Sequence, residues 1–168
     1  MKLAEAKQQF ISSWGAFGTQ WGINRTMAQI HALLLVSAHP ITQDEIMSEL
    51  SISRGNVNMN IRELVGWGLV DRVIISGERK EFFTAEKDIW KVATKIIKER
   101  KKRELDPMIK LLSQLEHIEG DKKDKEVQQF TEVVGSIKKL GLQADKTLDV
   151  MIKAEENWFT GSILKMLK

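Results

Sequence analysis

The sequence predicts a mostly α protein carrying one short β-hairpin, with long helices at both ends. Three observations point that way. The 168 residues include only two prolines and no tyrosine, while leucine, isoleucine, lysine and glutamate recur throughout, a composition that suits helices. Apolar residues near both ends repeat at spacings of 3 and 4, the period of a helix face. Between those ends, two short capped helices lead to a glycine, after which the pattern becomes extended.

The first helix is expected over about Leu3 to Trp21, with Leu3, Phe10, Trp14, Phe17 and Trp21 spaced 7, 4, 3 and 4. That stripe is heavily aromatic. Gly15 and Gly18 lie among the aromatics, where they weaken the helix but permit close approach of a partner. Gly22 breaks the pattern, and Asn24 can cap a second helix to about Ser37 that buries Met27, Ile30, Leu33, Leu34 and Val36. His39-Pro40 stops it, because the residue before proline is driven out of the helical region.

Thr42-Gln43-Asp44-Glu45 has the form of a capping box, in which the threonine and glutamate side chains satisfy each other's orphan backbone donors. Ile41 and Ile46 supply the accompanying hydrophobic staple. This helix ends near Leu50. Ser51-Ile52-Ser53 makes a three-residue turn into a helix from Arg54 to about Trp67, capped by Ser53 and stapled by Ile52 and Val57. Val57, Ile61, Leu64 and Val65 form its inward face, and Gly68 occupies the position of a left-handed C-terminal cap. Leu69 to Ile75 is rich in β-branched residues, Ser76 to Arg79 holds turn residues, and Lys80 to Thr84 resumes an extended pattern. A two-stranded hairpin follows from that arrangement.

From Glu86 the helical period returns, with Ile89, Ala93, Ile96 and Ile97 inward, then Met108, Leu112 and Leu115. Asp106-Pro107 predicts a kink or a fresh helix capped by Asp106. Gly120 to Lys125 reads as a polar linker. In the last long helix Val127, Phe130, Val134, Ile137, Gly141, Ala144, Leu148 and Met151 alternate spacings of 3 and 4. Such a sustained 3.5-residue period marks a helix packed lengthwise along another. The tail, Ile163 to Leu167, is expected to pack loosely or fray.

Several function classes are excluded or disfavoured. The absence of cysteine rules out disulfides, thiolate metal sites and a thiol nucleophile. The longest apolar run, Ala32 to Ala38, is far below the ~20 residues that span a bilayer. No signal-peptide core follows Met1, so the cytoplasm is the expected compartment and no membrane partner is expected. His31, His39 and His117 lack ligand spacing, so neither a metal nor another cofactor is expected. No catalytic motif of the nucleophile-elbow, P-loop, dinucleotide or zinc-protease type is present, and no enzyme is expected. The net charge of +3 comes entirely from residues 86–168, because 1–85 carries eight basic and eight acidic side chains. Nucleic-acid binding must therefore be argued from individual positions.

Two short helices across a tight turn, followed at once by a hairpin, make a winged helix-turn-helix. In that motif the second helix enters the major groove by its N-terminal end. Turning the apolar stripe inward leaves Arg54, Gly55, Asn56, Asn58, Met59, Asn60 and Arg62 for DNA. Asparagine and arginine are the types that read adenine and guanine edges bidentately, and Ser53 with Gly55 leaves helix-start N–H groups open to a phosphate. Three asparagines in five positions are poor helix chemistry, which argues against a merely solvated face. Arg79 and Lys80 sit where a wing would reach phosphate or minor groove. Lys98, Arg100, Lys101, Lys102 and Arg103 form a basic run that reads first as a solvated face.

The runs Trp21–Leu34 (WGINRTMAQIHALL), Ser53–Leu64 (SRGNVNMNIREL), Trp67–Val70 (WGLV) and Gly77–Phe83 (GERKEFF) resemble the GbsR-like branch of the MarR-type winged helix-turn-helix transcriptional regulators. The resemblance covers about residues 1–115; residues 121–168 share only helical character. It implies a homodimer that binds double-stranded DNA, with residues 1–22 as an N-terminal dimerisation helix, 23–85 as the DNA-binding domain and 86–168 as long C-terminal dimerisation helices. Phe10, Trp14, Val127, Phe130, Val134, Ile137, Leu148 and Met151 are the expected dimer contacts. Trp14, Phe17 and Trp21 could instead box a cationic small-molecule effector by cation–π attraction, although an aromatic stripe at this spacing more often packs in a core or interface. The expectation is a transcriptional regulator acting as a repressor; the competing reading is a winged-helix module that docks proteins and does not read DNA.

Overall fold

The computed structural model describes residues 1–118 and 123–166, the last of these, from 155 onward, by backbone alone. Residues 120–122 of the linker expected to run to Lys125, and the side chains of the 163–167 tail, lie outside the described residues, while Lys125 already belongs to the last helix. The chain forms two compact units, Met1–Val92 and Ala93–Lys168. The elements of the first are α1 (Leu3–Gln20), α2 (Arg25–Val36), β1 (Ile41–Thr42), α3 (Gln43–Leu50), α4 (Arg54–Gly66), β2 (Val70–Val73) and β3 (Phe82–Ala85). The boundary between the units falls within α5 (Ile89–Arg100).

Local chemistry sets most of these boundaries. Asn24 Oδ1 accepts from the Met27 N–H at 3.1 Å and starts α2. Thr42 and Glu45 complete the capping box: the Thr42 N–H donates to Glu45 Oε2 at 2.6 Å, and Thr42 Oγ1 accepts from the Glu45 N–H at 3.3 Å. Those bonds hold the Glu45 carboxyl below the usual carboxylate range. Ser53 Oγ caps α4 by accepting from the Asn56 N–H, and Gly68 adopts φ 70, the left-handed conformation expected of the residue beyond a helix. A device not foreseen ends α2. Lys87 Nζ donates to the carbonyls of Leu34, Leu35 and Ser37 at 2.5, 2.8 and 2.9 Å, placing a cation on the negative end of the helix dipole.

The sheet has three strands in the order β1-β3-β2, all antiparallel, where the sequence predicted two. Ile41 pairs with Phe83 and Thr42 with Phe82. The strand is too short to show a period and forms only because β3 offers it an edge. The core of this unit is Met27, Ile30, Leu34, Ile46, Val57, Leu64, Val70 and Phe83.

The α1 face packed on α2 is Ile11, Gly15 and Gly18, not the aromatic stripe. A Cβ placed on Gly18 would lie 2.6 Å from the Ala28 Cβ, so the close approach anticipated at these glycines is made by α2. Phe10 and Trp14 are half-buried; Phe17 and Trp21 are exposed.

In the second unit a π-helical turn, Lys101–Leu105, joins α5 to α6 (Asp106–Leu115). Asp106 has helical dihedrals, φ −60 and ψ −46, so it is not the cap that the sequence suggested. The π turn lies immediately before Pro107, where the missing proline N–H would interrupt regular α bonding. Ile89 and Met108, expected inward, are exposed, and Val92 and Leu112 are buried instead. Helix α7 (Lys125–Met166) runs antiparallel to α6 and the π turn: Lys138 meets Glu116, the Gly141 backbone meets Ile109, and Lys101 meets Asp145. This pairing divides the predicted heptad stripe. Val134 and Gly141 are buried within the chain, with Val127 and Leu148 half-buried at the same heptad position. Phe130, Ile137 and Met151 are exposed. Val134 is therefore a contact inside its own chain rather than a free interface residue, because the single stripe has to serve this helical hairpin first.

Candidate nucleic-acid interface

Helix α4 presents two unlike faces. Val57, Ile61 and Leu64 are buried against the core, while Arg54, Gly55, Asn58, Met59 and Arg62 are exposed. Staple, cap and turn orient it together. Ser51 closes α3 with φ 52, the Ile52 N–H donates to the Met47 carbonyl, and Gln43 Nε2 donates to the Arg54 carbonyl at 3.0 Å. A Cβ on Gly55 would meet nothing within 4 Å, so the start of α4 is open to an approaching group.

Asn60 departs from the expectation. It is 1% exposed, and its Nδ2 donates to the Asn56 carbonyl at 2.8 Å and to Asn56 Oδ1 at 2.7 Å. Position 60 is three residues beyond Val57 and four before Leu64, so helical spacing places it on the buried face. Its polar type had suggested the opposite. Asn56 is half-buried beside it.

The hairpin forms the wing. Val73 pairs with Phe82, the Glu78 N–H donates to the Ile75 carbonyl, and Arg72 pairs with Glu81 at 3.5 Å. Arg79 is exposed and has no hydrogen bond or ion pair among the described residues. Lys80 turns to α3: its Nζ lies 3.1 Å from Asp44 Oδ2, while Arg54 reaches Asp44 Oδ1 at 2.7 Å. Lys80, and after it Arg54, hold the Asp44 carboxyl below its ordinary range. In the sequence Asp44 is legible only as part of a capping box. The β1–β3 pairing is what brings it beside the wing, and Ile41-Thr42 facing Phe82-Phe83 was the signal available. Two cations of this face are thus partly neutralised, whereas Arg62 and Arg79 are not paired among the described residues.

Residues 21–80 match the model of the MarR family. The matched span runs from the end of α1 to the wing and holds every candidate DNA-contacting residue named above. A crystal structure of a transcriptional regulator is similar in fold, with TM-score 0.57 and 16% identity, over 83% of this chain and 95% of that one. An S. aureus MepR mutant bound to an oligodeoxyribonucleotide has TM-score 0.41 and 15% identity over 80% and 92% of the two chains. Transcriptional regulator Tm0710 from Thermotoga maritima has the same score and identity over 84% and 94%. No curated protein sequence matches this chain. The first of these structures shares the overall fold of this chain, while the residues that would touch DNA rest on the geometry above.

Of the aromatics considered for an effector box, Trp14 lies 5.4 Å from Phe10 and 6.4 Å from His31, centroid to centroid. Phe17 and Trp21 are exposed and make no ring contact among the described residues, so the three rings do not form a closed cage. The basic run spanning the end of α5 and the π turn is largely engaged within the chain: Arg100 with Glu104, Arg103 with Glu99, and Lys101 with Asp106, Asp145 and Asp149. No helix among the described residues is long and apolar enough to cross a membrane.

Proposed function

We propose that the protein is a homodimeric, sequence-specific DNA-binding transcriptional regulator that represses by occupying its site. One observation carries the reading: the N-terminal part of α4 is anchored by a buried apolar face, and Gly55, Asn58, Met59 and Arg62, with the exposed but Asp44-paired Arg54, face away from the core. Inserted in the major groove, α4 would read base edges through Asn58 and Arg62, with Arg79 on the backbone or minor groove. One such helix contacts too few base pairs to find a site, so two copies related by two-fold symmetry would set half-sites about 10 base pairs apart. Exposed Phe130, Ile137 and Met151 of α7 and the accessible edges of half-buried Phe10 and Trp14 of α1 would supply apolar surface for that pairing, and Trp14 reads better there than in a ligand cage.

Selection of bound sequences from a random DNA pool tests this directly. A two-fold symmetric site is expected, with binding that weakens steeply as salt rises. Arg79→Ala should weaken binding to every duplex alike, and Arg62→Ala should relax preference at one base pair per half-site. Ile137→Glu should halve the mass seen in light scattering. Failure to enrich any sequence, together with salt-independent behaviour, would leave the protein-docking module as the reading.

A further inference from the structure

We infer that Asn60 is a positioning residue that fixes the Asn56 amide with its nitrogen toward the groove, so that Asn56 selects a hydrogen-bond acceptor on one base. The inference rests on the proposal that α4 faces DNA. A buried asparagine on a face otherwise made of Val57, Ile61 and Leu64 is the anomaly to be explained. Leucine there would bury more apolar area and favour the helix.

The hydrogen bonds determine both amide orientations. A backbone carbonyl can only accept, so the end of Asn60 that meets the Asn56 carbonyl at 2.8 Å is its NH2 group. The second hydrogen of that group goes to the Asn56 side chain at 2.7 Å, and an amide nitrogen has no lone pair to offer in return. The Asn56 atom facing Asn60 is therefore its oxygen. The nitrogen of Asn56 is the end left over, and it has no acceptor among the described residues.

Bidentate reading of adenine needs the oxygen and nitrogen of one amide aimed together at a base edge. Here the oxygen is drawn back toward the core, leaving a lone donor in the first turn of α4. Such a donor suits purine N7, guanine O6 or thymine O4 and rejects the amino group of cytosine. Asn56 thereby differs from Asn58, which makes no hydrogen bond with its side chain among the described residues and keeps both amide ends available.

The test uses the full-length protein and the sites it selects from a random pool. Asn56→Ala identifies the base pair concerned by making binding indifferent there. Asn60→Leu, which keeps the site apolar and frees the Asn56 amide, should reduce discrimination at that same base pair by about tenfold while other positions keep theirs. Replacing the purine by its 7-deaza analogue at that position should weaken the parent and leave Asn60→Leu little changed. Asn60→Asp, whose carboxylate would accept from the Asn56 nitrogen and turn the amide round, should shift preference toward cytosine. If Asn60→Asp does not fold, Asn60→Leu decides alone. A uniform loss across all positions, or unchanged preference at that one, would reduce Asn60 to a helix-packing role and overturn the inference. Should the parent select no sequence at all, the DNA reading itself falls, an outcome distinct from the other two.

Discussion

The pair α1–α2 and the pair α6–α7 are both antiparallel neighbours, yet they are held in register by different physics. In the first, Gly15 and Gly18 let the backbones approach until Ala28 and Gln29 occupy the space of the missing side chains, and His31 is buried nearby with its Nε2 unpartnered among the described residues. In the second, Lys101 reaches Asp145 at 2.8 Å and Lys138 reaches Glu116 at 2.5 Å, while a Cβ at Gly141 would come no nearer than 3.3 Å to the Ile109 side chain. Steric fit tolerates little change but does not depend on ionic conditions. Charge pairing tolerates more change and responds to pH and salt. Perturbations should therefore separate the two pairs.

The largest difference is expected in acid. Burial, and next to it the charge of Lys87, lowers His31 to about 4 from its ordinary 6.5. The folded form then resists a proton that the unfolded chain accepts. Stability is thus complete above about 6.5, is lost as pH falls toward about 4, and levels off below, with a total of up to about 3 kcal/mol. Urea unfolding followed by circular dichroism at a series of pH values should show this slope in the parent protein. His31→Phe should lack it. The carboxyls held below their usual range, Asp44, Glu45 and Glu104, begin to lose their contribution only as pH approaches their unfolded values, so the upper part of the window, above about 5, belongs to His31. A parent slope that survived in His31→Phe would mean that the buried imidazole is not its source.

Next in size is the contrast between two glycine replacements. Gly18→Ala gains about 1 kcal/mol of helix propensity but drives a methyl against the Ala28 Cβ, a short side chain that cannot swing away, so a net loss of about 2 kcal/mol is expected. Gly141→Ala gains the same propensity and needs only a small adjustment of Ile109, which leaves it neutral or slightly stabilising. Midpoints of thermal unfolding for the two variants check the sign. Equal losses at both positions would erase the distinction between steric and electrostatic register.

Legibility in the sequence follows the range of the interactions involved. Caps, staples and the glycine after α4 act within about five residues, so Thr42, Glu45, Ser53 and Gly68 could be read directly. Features set by distant chain could not. Strand β1 exists through pairing with Phe82 and Phe83, and Asp44 gains Lys80 only through that pairing. The α7 stripe was visible in its period, but spacing alone did not say which half would meet α6. At position 60 the spacing was right and the residue type misled, because asparagine reads as surface until its partner at 56 is seen to satisfy it. The exposed half of the candidate site (Arg54, Gly55, Asn58, Met59, Arg62 and Arg79) was legible for the converse reason: these side chains take no part in packing.

The smallest expected effect concerns Lys101, and it has the opposite pH sense to His31. Its ammonium is held above the ordinary lysine range, chiefly by the carboxylate of Asp145 2.8 Å away and then by Asp106. A group raised in the folded state contributes fully below its unfolded value and loses that contribution as pH rises beyond it, so the α6–α7 pairing should weaken only in strong base. Lys101→Gln removes the charge at any pH and leaves Asp145 without its cation. Both groups retain some access to water, with side-chain exposures of 18% and 24%, so the cost is nearer that of a surface pair than of a buried one, about 1 kcal/mol. The difference between Lys101→Gln and the parent should shrink in high salt, whereas the loss in Gly18→Ala should not. A Lys101→Gln penalty unaffected by salt would show that the lysine stem, rather than its charge, packs the helical hairpin.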